Sequence, residues 1–486
     1  MALDQVTKLA STTDPRVTII GAGPTGLFTA YELSRFARNV KVTIVDAGPD
    51  LKGRKKSLPN SSLRCPTPSE GYGGAGVFSD KLYFDAAGGW LEEVGPELEP
   101  QVYTSLVSEV YEKFVGLIRW QAGSSRRIDL GIPGLQFKPY PNLVPATLDE
   151  YLTLIKKIIT SIEKAGVSVL FSRRASQIIR SSGPMHKFRV ELEGDDPIDS
   201  DAVLIATGRA SSTWFQRQAG GLGVELVASP TILGIRIETL TQRVQPLSDL
   251  ALDPKLKSKD GATKIHCYCK GGTVISVKSD GMILVDGTQM QSPTKNTSFN
   301  VLTRLDGLGK TTAEGRAIAT EIVQRGKGRP IVQRMDDFRK GIPSTARSIA
   351  SGGVVPTLSK ARPGDLTEVL PEEVTERLFS LVEVLSGVAP KLREGDNLVY
   401  GPVFEWFHPT VKMNDSWDTS VEGLFVAGDA AGHSQGVVMA CASGIRIAFR
   451  IKAFLDREAD ANGAHTNISE SVISPKNSGP PQDMVA

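Results

Sequence analysis

Cysteine is scarce in this chain, with four among 486 residues, and two of them, Cys267 and Cys269, stand a single residue apart. That pattern is not a disulfide framework, and reduced thiols in a cytoplasmic protein are the expectation. His266 beside them invites a metal reading, but a zinc site needs about four ligands. No second CxxC and no spaced histidine pair supplies the rest, so no metal is expected. A redox dithiol would be expected as CxxC near the start of a βαβ unit, and CxC matches this poorly. Residues two apart on a strand share a face. Cys267 and Cys269 therefore read as packing beneath or beside a substrate pocket, with His266 on the opposite face.

Charge of one sign is also missing. Lys and Arg number 56 against 54 Asp and Glu, a net charge of +2. Such a balance provides no long-range field for nucleic acid or an anionic membrane, and no Lys/Arg tract makes up for it. No apolar run approaches the ~18 residues of a spanning helix, so no integral membrane segment is expected. Residues 1–15 lack the basic flank and apolar run of a secretory signal and read as a polar lead-in. From 457 onward the chain turns to Asn, Ser, Pro and Gly with little apolar spacing, and disorder is expected. No internal repeat or low-complexity block is visible.

What remains is globular material, 40% hydrophobic and 23% charged, long enough for two intertwined domains or one large domain with an insertion. Val17-Thr18-Ile19-Ile20 is a continuous β-branched run that suits a parallel strand buried on both faces. A glycine turn follows, then an apolar-periodic helix through Leu27, Ala30, Tyr31 and Leu33. A second such strand, Val42-Thr43-Ile44-Val45, ends at Asp46, completing a βαβ unit in about 30 residues. Further downstream, Val167–Phe171, Ile178–Arg180 and Phe188–Leu192 read as short strands of the same sheet, leading into Ala202–Gly208. Another strand, Gly423–Ala427, precedes Gly428-Asp429-Ala430-Ala431-Gly432 and a helix from about Val437 to Phe454. The nucleotide-binding part is thus discontinuous. Between the halves, Ile235–Glu238, Thr273–Val277 and Met282–Val285 read as strands, with Ser279-Asp280-Gly281 as a turn. Helical patterns follow at Thr312–Arg325 and Pro371–Gly387. The expected fold is α/β, a Rossmann-like parallel sheet with a second α+β substrate domain. The expected division is 15–225 and 396–456 for the cofactor domain, 226–395 for the substrate domain, and a tail beyond.

The strongest local signal is Gly21-Ala22-Gly23-Pro24-Thr25-Gly26 where a strand turns into a helix. Gly21 permits the tight turn, Gly23 lets the backbone approach a pyrophosphate, and Gly26 allows close helix–strand packing. The helix N-terminus offers amides and a positive dipole end to phosphates. Asp46, 20 residues beyond Gly26, can accept hydrogen bonds from a ribose diol. This motif alone does not separate FAD from NAD. Thr207-Gly208 closing one strand and Gly428-Asp429 at the mouth of another favour FAD, because an NAD module needs neither. Gly71, Gly73, Gly74, Ala75 and Gly76 allow an irregular backbone to pass close to a flat ligand, with amides facing its edge.

These segments resemble those of glutathione-reductase-type flavoproteins in the single-module branch, which includes aromatic hydroxylases and geranylgeranyl reductases. More narrowly, the chain resembles a family of predicted FAD-dependent dehydrogenases. Gly73–Asp80, Cys267–Gly272, Val332-Gln333-Arg334 before Asp337-Phe338, and Gly428–Ala448 carry that likeness, which extends over about residues 15–455. Two positions depart from the family pattern. Lys81 follows Asp80 where a Gly is common, and His433-Ser434-Gln435-Gly436 replaces a run of small residues. The resemblance implies one non-covalent FAD, with Gly436 and Val437 beside it.

Three residues are candidates for proton transfer during hydride exchange with flavin N5: His433, His408 and Glu405. His433 is expected at the redox-active side, and Glu405-Trp406-Phe407-His408 leads toward the last cofactor strand. The function expected is an FAD-dependent oxidoreductase acting on a small, partly hydrophobic metabolite. A second GxGxxG is absent, so NAD(P)H enters only as a transient donor. Rival readings are a monooxygenase, a non-catalytic FAD-binding protein and an RNA-modifying flavoprotein. A halogenase lacks its tryptophan-rich motif here.

Overall fold

The computed structural model of the chain describes residues 14–37, 39–57, 70–85, 100–116, 131–181, 186–289 and 293–461. Residues 1–13 and those from 462 on, where a lead-in and a tail are expected, lie outside the described residues. Residues 457–461, placed in that tail by the sequence pattern, are the last turn of helix Val437–Ala461.

Five parallel strands form the first sheet, in the order Leu424–Val426, Ala202–Ile205, Arg16–Ile20, Lys41–Asp46, Ser168–Phe171. Side chains of the inner strands alternate between two cores, which is why both faces of those strands are apolar, while the edge strand Ser168–Phe171 exposes Ser168 and Leu170. Ile19, Ile44, Leu204 and Phe425 face one core, shared with helices Pro24–Phe36, Leu148–Lys164 and Val437–Ala461. Ile20, Val45, Ile205 and Val426 face the other, under Ile178, Phe188, Val190 and Phe215. The fold is α/β with a discontinuous Rossmann-like sheet. One expectation fails: Ala175–Arg180 and Phe188–Leu192 do not join this sheet. Phe188–Leu192 pairs antiparallel with Ala175–Arg180 on one side and Asp195–Ser200 on the other, as a separate three-stranded layer, since a strand reached by a short turn pairs with its neighbour rather than crossing over.

Helix Pro24–Phe36 begins with Gly23 extended and Pro24 in its first turn, where the missing amide hydrogen costs nothing. Close packing sets the surrounding glycines. A Cβ on Gly26 would lie 2.0 Å from the Gly21 carbonyl oxygen, and Gly21, at φ +117°, would put one 2.4 Å from that of Ala206. The C-terminal helix crosses this first helix equally closely. The Thr29 hydroxyl donates to the Gly444 carbonyl at 2.9 Å, and a Cβ on Gly444 would meet the Thr25 carbonyl at 2.3 Å.

The second sheet has eight strands, with Leu398–Glu405, Ile232–Leu240, Asn296–Arg304 and Thr263–Lys270 adjacent at its centre. Lys255–Ser258 and Leu135–Lys138 extend it at one edge, so it draws strands from both sides of 226–395. One face packs on helices Thr312–Arg325 and Glu372–Ser386 through Phe299, Ile322, Leu378 and Phe404. The hairpin Thr273–Ser279 to Met282–Thr288 turns through Asp280 and Gly281, both at positive φ.

Candidate functional site

A cavity of about 1160 Å³ runs between the two sheets, reached from one side by the glycine turn and from the other by strand Thr263–Lys270. Gly21, Gly23, Pro24 and Thr25 line its inner end. Nothing fills the space in front of Gly23, where a Cβ would have only Gly74 Cα nearby, at 3.9 Å. Pro24 carries no amide hydrogen, so Thr25 provides the first donor of this turn that an anion in the cavity could engage. Gly26 itself lies behind the turn, outside the lining.

Asp46 lines the same end, but its carboxylate is committed. Oδ2 accepts from the Ala22 amide at 2.7 Å, and Oδ1 from Gly48 and Gly71 at 2.8 and 2.7 Å. Burial pushes its pKa up against these bonds. Three of about four acceptor positions are therefore taken, which leaves one for a ribose hydroxyl, not two. The expected nest of free amides at Gly71–Gly76 also changes. Gly71 donates to Asp46, Gly73 to the Ala22 carbonyl and Gly74 to that of Gly71. Gly73 packs on Tyr151, whose hydroxyl donates to its carbonyl at 2.7 Å. Only Gly74, Ala75 and Gly76 of this loop line the cavity.

Further along, Thr207, Gly208, Asp429, Gly436 and Val437 form the wall. Thr207 Oγ1 and Asp429 Oδ1 are buried without a hydrogen-bond partner, a state that native proteins rarely leave uncompensated. Burial pushes Asp429 up to about 6, with Arg209 opposing it. Gly428 is not part of the lining. It packs on Thr25, with a Cβ reaching 2.2 Å from Oγ1, and so joins the last motif to the first.

At the outer end Glu405 faces His266. Glu405 Oε1 accepts from His266 Nε2 at 2.9 Å and from Asn300 at 3.3 Å, while Oε2 is buried with no partner. Burial raises the carboxyl, but His266, Lys264 and Arg209 outweigh it and hold Glu405 well below the usual range. Burial pushes His266 down against the opposing pull of the Glu405 carboxylate, with Lys264 adding to the depression. The pair is a carboxylate accepting from a neutral imidazole. Lys264, pushed down to about 8 by burial, and Arg209 line the cavity beside them.

Two expected catalytic residues stand elsewhere. His433 Nε2 donates to the Val411 carbonyl at 2.6 Å and its ring packs on Trp417. Gly432, at φ +77°, sits against Thr410, and this turn sends His433 away from the cavity while Gln435 lines it. His408 lies between the rings of Trp406 and Phe407, outside the lining. Burial and then Arg209 push it down to about 4.

His266 was expected opposite the cysteines, and the structure reverses this. Cys267 has φ +57°, and the register with Asn296–Arg304 shifts between His266 and Cys269. The bulge brings His266 and Cys267 onto one wall, with Cys267 Sγ donating to Asp286 at 3.2 Å. Cys269 is fully buried behind them. Among the described residues no group of three or more His, Cys, Asp or Glu side chains could hold a metal ion, and no helix is long and apolar enough to cross a membrane.

Residues 19–76 match the model of an NAD(P)-binding Rossmann-like domain. Over 469 residues the chain is 23% identical to an uncharacterised protein of Clostridium beijerinckii, covering 90% of this chain and 80% of that one. Among solved structures it is similar to CtdE in complex with FAD, at 12% identity and TM-score 0.32, covering 92% and 93% of the two chains. Glycine oxidase from Geobacillus kaustophilus matches at 11% identity and TM-score 0.37, with 90% and 95% covered. A geranylgeranyl bacteriochlorophyll reductase-like protein from Thermoplasma acidophilum matches at 15% and 0.38, with 93% and 81% covered.

Proposed function

We propose that the chain is an FAD-dependent oxidoreductase of the cytoplasm, related to the single-module predicted dehydrogenases, that exchanges a hydride with a small organic metabolite. The observation that carries this is the unbroken cavity from the glycine turn to Glu405. At about 1160 Å³ it exceeds the roughly 300–1,000 Å³ of a pocket for one small molecule, leaving room for an extended dinucleotide and a second compound. The residues fit the larger ligand. Thr25 offers its amide to a pyrophosphate, Gly23 and Gly208 leave the backbone bare, and Asp429 and Thr207 hold unpartnered polar atoms toward it.

Bound FAD supplies the acceptor for a substrate hydride. The chain's own contribution is proton handling and orientation at the outer end. His266, neutral and fixed by Glu405, can take a proton from a substrate hydroxyl or amine, and the carboxylate then stabilises the imidazolium. We assign these two residues the catalytic role, and give His433 and His408 structural ones. The cofactor part is taken as residues 15–225 with 396–456, except that strands Leu135–Lys138 and Leu398–Glu405 join the substrate-facing sheet built on 226–395.

The test is direct. Purified protein should be yellow and release FAD, not FMN, on heating, as separated by chromatography. Anaerobic screening with NADH, NADPH and pooled metabolites should then bleach the flavin band with at least one donor. Colourless protein that cannot be reconstituted with FAD would overturn the proposal.

A further inference from the structure

The cavity's outer wall carries an unusual register. Strand Thr263–Lys270 pairs with Lys255–Ser258 so that Lys257 stands opposite Lys264, and the next pair places Lys255 opposite Lys138. Leu135, Phe137, Leu256 and Ile265 alternate with these residues and fill the core on the other face. The four lysines therefore share the cavity side, and all four line it. Like charges directly opposite one another on a sheet repel.

Asp253 does not resolve the repulsion at Lys264. Its carboxylate binds Lys255 at 2.8 Å and the Tyr268 amide at 2.9 Å, and it also accepts from the Tyr83 hydroxyl. Glu405, the other nearby carboxylate, is bonded to His266 and Asn300. The Lys264 ammonium makes no hydrogen bond or ion pair among the described residues, and the side chain lines the cavity. It lies two positions before His266 on the same face, about 7 Å along the strand.

We infer that Lys264 forms an oxyanion subsite that takes the carboxylate or phosphate of the substrate. An anion there pairs with the Lys264 ammonium and places the neighbouring substrate carbon before His266. The inference deepens the proposed oxidoreductase reading, and rests on it for the word substrate.

Acetylation footprinting tests the subsite without requiring flavin. Full-length protein of measured flavin content is treated briefly with acetic anhydride at constant ionic strength, and Lys264 acetylation is read by peptide mass spectrometry. The arms are no addition, benzoate, its neutral isostere benzamide, and methyl phosphate. Protection of about fivefold or more by benzoate but not benzamide supports a carboxylate ligand. The same protection by methyl phosphate alone supports a phosphate ester. Equal labelling in every arm overturns the subsite, whatever the flavin content. Calorimetric titration with the protecting anion should show at least tenfold weaker binding in Lys264→Gln and less than threefold in Lys264→Arg. Equal losses in the two variants also overturn it. Protein that cannot be reconstituted with FAD yet shows protection would sink the FAD reading and leave the anion site standing.

Discussion

His266 Nε2 and Glu405 Oε1 lie 2.9 Å apart across 139 positions of sequence, joining the bulged strand to the end of the central strand of the same sheet. If this pair handles the proton, His266→Gln and Glu405→Gln should retain bound flavin while reduction by substrate slows about 10²–10⁴-fold. Anaerobic stopped-flow measures this. A wild-type rate in either variant removes that residue from the chemistry.

His433 should behave differently. Its imidazole is tied to Val411 and lies outside the cavity. His433→Gln is expected to reduce flavin within about threefold of wild type while losing about 1 kcal/mol of stability, the scale of one hydrogen bond. Stopped-flow and urea unfolding together separate the two effects, and a hundredfold slower reduction would return His433 to the active site.

Asp429 sets a pH dependence of the cofactor-free chain. Its carboxyl is raised from 3.8 to about 6 by burial. A raised acid contributes stability below its unfolded pKa and loses it as pH rises through the folded one. The cost therefore develops between about pH 4 and 6 and is complete at 7. Asp429→Asn should stabilise the apoprotein by about 1–3 kcal/mol at pH 7.5 and leave it unchanged near pH 4. Equal gains at both values in urea unfolding would refute the charge as the cause.

Asp46→Ala should cost more than a lost ribose contact. Three backbone amides would lose their acceptor, at about 1–3 kcal/mol each if left unpaired. The apoprotein should show a markedly lower unfolding midpoint, read without cofactor. A variant that unfolds normally but binds FAD poorly would instead favour a ribose role alone.

Gly21→Ala and Gly23→Val divide structure from binding. At Gly21 the new Cβ meets the Ala206 backbone at a positive φ, so loss of folded protein is expected, with strain of about 1–3 kcal/mol before the clash is counted. At Gly23 the side chain enters the cavity. That variant should fold, keep its far-ultraviolet dichroism and contain no flavin.

The first strands, the glycine turn and the C-terminal helix were legible because β-branched runs and helical periodicity report burial directly. The side of the strand on which His266 falls was not. It depends on a non-glycine residue, Cys267, adopting a left-handed conformation, and nothing in His-Cys-Tyr-Cys-Lys announces that. His433 was misplaced for a related reason: Gly432 decides its direction through contact with Thr410, a residue 22 positions away. Lys264 carries a readable signal, since Lys-Ile-His alternates charged and apolar at the start of strand Thr263–Lys270. Its lysine partner across the sheet depends on register, which local sequence does not encode.

The contact between Thr29 and Gly444 also fixes an order of events during synthesis. The first helix emerges from the ribosome with its packing partner more than 400 residues from being made, roughly 20–80 s at 5–20 residues per second. Until strand Leu424–Val426 and the helix after it arrive, the opening βαβ unit has an uncovered apolar flank and half a cradle. The glycine turn therefore gains its full set of neighbours only when the last strand and helix have been made.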